Sequence, residues 1–162
     1  MHAVRASRRA ALLLMAALVA ACASPPRAGD GETVWSGRMA LRVDSTPPQS
    51  FGSAFELRGG PDAGELRLAS PLGNTLATVV WSPAGAELRQ GSQVTRRGSL
   101  DDLTAELGGA PLPVGALFSW LRGQATTAPG WTADLSQHAE GRISARRESP
   151  APTAELRLVF EP

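Results

Sequence analysis

Apolar residues alternate with polar ones near both ends of the chain, and two segments of helical period lie between them. Together these predict an α+β domain in which one face of an antiparallel sheet packs against helices. The alternating segments are separated by short runs rich in Gly, Pro, Ser and Asp, which reads as a meander joined by tight turns. With 162 residues, a single domain can bury a core without staples.

Order is expected from Val34. Trp35, Gly37, Met39, Leu41 and Val43 alternate with Ser36, Arg38, Ala40, Arg42 and Asp44, a strand with one apolar face. Thr46-Pro47-Pro48-Gln49 breaks it. Phe51, Ser53, Phe55 and Leu57 then alternate with Gly52, Ala54, Glu56 and Arg58, and Gly59-Gly60-Pro61-Asp62 turns the chain again. Leu66 and Leu68 flank Arg67 in a third strand.

Ser70-Pro71-Leu72-Gly73 follows as a tight turn, with proline presetting φ at its second position and glycine closing it. Leu72 is unusual there, because turn tips face water and favour polar residues. Two readings stand at this point: the side chain folds back onto a neighbouring strand, or it is exposed for a purpose. Thr75 to Trp81 is strand-like again, Ser82-Pro83-Ala84-Gly85 turns into Ala86–Arg89, and Gln93–Arg97 makes one more short strand.

The middle of the chain is helical. Ser99-Leu100-Asp101-Asp102 resembles a capping box, with acids facing the positive helix end. Leu100, Leu103 and Leu107 share a face, and Gly108-Gly109 ends the helix. In the next helix Pro113 suits the first turn, Gly123 the stop, and Val114, Leu117, Phe118 and Leu121 form an apolar stripe. Strands resume with Trp131, Ala133 and Leu135, then Ile143 and Ala145, and finally Leu156, Leu158 and Phe160.

The N-terminal residues are set apart from this domain. Arg5, Arg8 and Arg9 precede an apolar run of 12 residues, 10–21, that ends at Cys22. At 1.5 Å rise per residue such a run reaches roughly 18 Å, short of the ~30 Å hydrocarbon core, so it reads as a signal segment. Leu18-Val19-Ala20-Ala21-Cys22 resembles the lipobox of bacterial lipoproteins, and Cys22 is the only cysteine. The expected division is a lipoprotein signal peptide at 1–21, a lipidated cysteine with flexible tether at 22–33, and a domain at 34–162. Removing residues 1–21 leaves a formal charge of −2, with arginine as the sole basic residue type. That balance gives no support for nucleic-acid binding.

Catalytic constellations are scarce. Downstream of Cys22 there is one histidine, His138, and no H-x-x-x-H spacing, nucleophile elbow or phosphate-binding glycine loop. No enzyme activity, metal or cofactor is expected beyond the covalent lipid on Cys22.

Three segments together resemble the outer-membrane lipoprotein receptor LolB family: W-S-G-R-M-A-L-R-V (35–43), L-R-L-A-S-P-L-G-N-T (66–75) and L-P-V-G-A-L-F-S-W-L-R-G (112–123). Residues 124–162 are short for that family. The resemblance implies a strongly curved antiparallel β-sheet, an incomplete barrel, with helices covering its open apolar side. It implies a monomer, lipid-anchored to the inner leaflet of the outer membrane on the periplasmic face. Its partners would be the periplasmic carrier LolA and acylated lipoprotein cargo. The implied function is to take acylated lipoproteins from LolA and place them in the outer membrane. Pro71, Leu72 and Gly73 fall on the family's protruding membrane-insertion loop, with Leu72 at the position implicated in putting cargo into the bilayer, which favours its exposure. For an acyl-chain cavity the expected lining is Trp35, Met39, Leu41, Phe55, Leu66, Leu68, Val79, Trp81, Phe118, Trp120 and Leu121. A plain core would show the same alternation. The competing reading is a lipid-anchored structural or assembly lipoprotein that binds a protein partner through its sheet.

Overall fold

The computed structural model describes residues 33–108 and 111–162. The signal segment, Cys22 and the tether as far as residue 32 lie outside the described residues. Residues Thr33–Pro162 form one compact unit, and it contains the whole described core, so this segment holds what it needs to fold by itself.

Among the described residues nine strands make one antiparallel sheet. They are β1 (Val34–Val43), β2 (Gln49–Gly59), β3 (Gly64–Ala69), β4 (Thr75–Ser82), β5 (Gly85–Gln90), β6 (Gln93–Arg97), β7 (Trp131–Asp134), β8 (Arg142–Arg147) and β9 (Ala154–Phe160). Helices α1 (Leu100–Gly108) and α2 (Val114–Leu121) fall between β6 and β7. The spatial order is β6-β5-β4-β3-β2-β1-β9-β8-β7, so the sheet is unclosed with β6 and β7 at its edges.

The first six strands are the meander that the alternation predicts. The last three join on the far side of β1, where Met39 pairs with Leu158 and Leu41 with Leu156. Register then carries the apolar parity across the sheet. One row runs Leu88, Val79, Leu66, Leu57, Trp35 and another runs Phe51, Leu41, Leu156, Ala145. A slip of one residue in any strand would turn its apolar set to the other face.

In the row Phe55, Gly37, Phe160 the middle position has no side chain. A Cβ there would lie 2.1 Å from the backbone oxygen of Val159. Trp35 and Phe160 pack edge to face beside it, with ring centroids 5.9 Å apart.

Helix α1 starts at Ser99, whose Oγ accepts from the Asp102 amide at 3.1 Å and donates to the Asp102 carboxylate at 2.7 Å. Helix α2 buries Val114, Leu117, Phe118 and Leu121, as its stripe predicts, together with Ala116 and Trp120. Its end is a Schellman motif at Gly123 (φ +74): the Gly123 amide donates to Trp120 and the Gln124 amide to Ser119, each at 2.9 Å. Trp81 packs on Phe118 at 6.2 Å between centroids. Its Nε1–H donates to the carbonyls of Gly60 and Pro61 at 3.1 Å, which fixes the β2–β3 turn.

Candidate functional site

An apolar hollow of about 340 Å³ opens at the end of the sheet that holds the β1–β2, β3–β4 and β5–β6 turns. Its sheet wall is built by inward positions that alternation alone fixes: Met39, Leu41 and Val43 of β1, Leu66 and Leu68 of β3, Val79 of β4 and Leu88 of β5. Leu100 and Thr104 of α1, with Leu112 and Val114 at the start of α2, complete the lining on the helical side. Thr104 carries no unmet hydrogen bond into the space, because its Oγ1 donates to the Asp101 carbonyl and accepts from the Leu112 amide. Among the described residues no charged side chain lines the hollow. Such a surface is suited to hydrocarbon and unsuited to an ion.

Two large apolar lining residues are exposed at the mouth, Phe51 at 40% and Leu76 at 41%. Phe51 stands on the part of β2 that runs past the end of β3, since β3 stops where Ala69 faces Ala54. Leu76 arrives differently. The β3–β4 register shifts between Leu68 and Ala69, so that Leu68 faces Ala77 and Ala69 faces Thr75. Leu76 is the extra residue of this bulge. Bulges bend a strand and re-aim a side chain, and here Leu76 and Ala77 both line the hollow although they are consecutive.

The β3–β4 turn rises directly from this mouth. Its backbone is fixed by the Gly73 amide donating to Ser70 O at 2.9 Å and the Ser70 amide donating to Asn74 O at 2.8 Å. The Ser70 Oγ adds a third bond, accepting from the Asn74 amide at 3.2 Å. Gly73 takes φ +85, which suits glycine. Leu72 is 89% exposed at the apex, the most exposed large apolar residue described.

Of the residues the sequence nominates for a cavity, Met39, Leu41, Leu66, Leu68 and Val79 converge on this hollow. Phe55, Trp81, Phe118, Trp120 and Leu121 are buried in the core without bordering it, and Trp35 packs on that core from its edge. Val43, Leu88, Leu100 and Val114 were legible candidates, since they sit on the same predicted apolar faces. Leu76 was not, because its parity in an unbroken strand points away from the core.

His138 takes a structural place: its Nε2 lies 2.9 Å from the Leu121 carbonyl and its ring packs on Phe160. Among the described residues no cluster of His, Cys, Asp or Glu could hold a metal ion.

Comparison with known proteins places these features in context. The sequence model of a family described as outer membrane lipoprotein LolB matches residues 34–154. Curated relatives carry the name outer-membrane lipoprotein LolB. The chain is 33% identical to that of Chromobacterium violaceum, with 76% of this chain and 71% of the relative aligned. Identity to the protein of Cupriavidus metallidurans is 34%, covering 88% of this chain and 74% of the relative. For Cupriavidus necator it is 31%, covering 96% and 97%.

Proposed function

Because the chain belongs to the LolB family of outer-membrane lipoproteins, we propose that it accepts acylated lipoproteins from the carrier LolA in the apolar hollow and inserts them into the outer membrane. The protein is then held there by lipid on Cys22, acts as a monomer on the periplasmic face, and needs no catalytic group. In this reading the sheet is a strongly curved incomplete barrel, with α1 and α2 covering its apolar side.

Physical need and observed surface agree. Each buried CH₂ is worth about 0.8 kcal/mol, so several long acyl chains put tens of kcal/mol between membrane and water. A hand-over has to keep those chains covered throughout. The observation that carries the proposal is the uncharged hollow whose half-exposed rim, Phe51 and Leu76, stands at the foot of the turn presenting Leu72. Leu68 and Leu76 of the lining flank the turn that carries Leu72, so lining and tip belong to one hairpin.

Leu68 tests the uptake step, because it borders the hollow and is only partly buried. Leu68→Asp is expected to keep a cooperative melt and to cut transfer of acylated cargo from LolA at least tenfold, by placing a carboxylate where alkyl groups lie. Undiminished transfer by the folded variant would remove the hollow from the pathway. Phe118 is a poorer probe, since it lies in the closed core and its change to Asp reports on folding.

A further inference from the structure

Resting on the acyl-chain reading above, we propose that Gln49 and Gln90 form a neutral collar at the mouth of the hollow. This collar recognises the ester or amide linkage of an acyl chain and disfavours a free fatty-acid anion.

The collar follows from how the inward rows end. On β2 the inward positions run Leu57, Phe55, Ser53, Phe51 and close with Gln49, which faces Val43 across the strand pair. On β5 they run Ala86, Leu88 and close with Gln90, facing Gln93 of β6. Both glutamines are exposed, and both line the hollow. Apolar depth therefore gives way at its opening to carboxamides on two separate strands.

Arginines on three strands that wall the hollow, β1, β3 and β5, are turned elsewhere. Arg42, Arg67 and Arg89 take the opposite parity. Arg42 binds Asp44 at 3.3 Å, Arg67 binds the Thr75 hydroxyl at 3.0 Å, and Arg89 binds Glu87 at 2.5 Å. A carboxylate drawn into the mouth would give up part of its water and, among the described lining residues, meet no cation. An ester or amide carbonyl asks only for an N–H, and each glutamine offers two. The acyl chains of an acylated cysteine are attached through such neutral linkages.

The test uses residues 22–162 carrying Cys22→Ala, with a fluorescent alkyl probe in the hollow displaced by monolauroylglycerol or by laurate at mildly alkaline pH. The two share one alkyl chain and differ in the head. The ester is expected to displace the probe at a roughly tenfold lower concentration, the order of effect that one unpaired, partly desolvated charge produces. Gln90→Arg should reverse that preference by supplying a cation, and Gln49→Arg serves as an independent second variant, each with a thermal melt to confirm folding. Equal displacement by both compounds, or folded arginine variants that leave the preference unchanged, would overturn the collar while leaving the hollow as an acyl site. Displacement by neither compound would overturn the acyl reading itself.

Discussion

None of the hydrogen bonds that fix the β3–β4 turn involves the side chain of Leu72, which leaves it free to enter an apolar phase. Under the proposed function Leu72 would dip into a bilayer, a burial worth about 1.5–3 kcal/mol that is small beside the transfer energy of acyl chains but would hold the mouth against lipid. Leu72→Asp is expected to leave the melting temperature and cargo uptake unchanged while slowing release into liposomes severely. Normal release would return this leucine to an ordinary exposed residue. Gly37 makes the opposite kind of contribution, by absence. Gly37→Ala forces a methyl against the Val159 carbonyl, so β1 and β9 must separate locally. A loss of about 3 kcal/mol in urea unfolding is expected, and a neutral result would show that the two strands have slack. The sequence marked Leu72 as odd because a turn tip is normally polar. It could not mark Gly37, since the neighbour that excludes a side chain lies more than a hundred positions away.

At the scale of elements, alternation and helical period located β1 to β6 and both helices closely, because each has one wet face and one dry one. The bulge in β4 escaped, being a property of a strand pair and not of a strand. It matters because it turns Leu76 into the rim. The edge hairpin β5–β6 buries Ala86 and Leu88 on one face and carries charge pairs on the other. Glu87 accepts from Arg89 on its own strand at 2.5 Å and from its cross-strand partner Arg96 at 2.6 Å. Arg97 reaches on to Glu106 of α1. The hydrogen bond from Arg89, then that from Arg96, holds the Glu87 carboxyl below the ordinary glutamate range. A lowered folded value means the native state binds this proton less readily than the unfolded chain. The contribution is therefore full above the ordinary glutamate value and disappears as pH falls through the lowered one. Glu87→Gln should be less stable than the parent at neutral pH, and the gap should close on acidification. A gap independent of pH would assign the effect to packing. The magnitude is small, because the pairs are open to solvent and screened by salt.

For the whole molecule, the class α+β and the single apolar face were legible, since parity survives in most strands and breaks at the β4 bulge. Which strand β9 would join was not, because alternation fixes a face and never a neighbour. Nor could sequence divide core from hollow. Met39 and Phe55 share one pattern, yet only Met39 borders the space. That division depends on how closely α1 and α2 approach the sheet.

The edge positions of β6 and β7 in the described sheet bear on how large a guest the proposed function would let the hollow take. A closed barrel has a girth set by strand number and stagger, and widening it means tearing a ladder. An unclosed sheet has a seam. Its girth can change through twist and through the fit of helices against strands, at the cost of side-chain contacts and of no interstrand hydrogen bond. A hollow of about 340 Å³ is near the lower end of ~300–1,000 Å³ for small-molecule sites, which is modest for a many-chained guest. Under the proposed function, the unclosed seam is where such a hollow would widen around an acyl guest, as a sleeve does, without breaking a strand ladder.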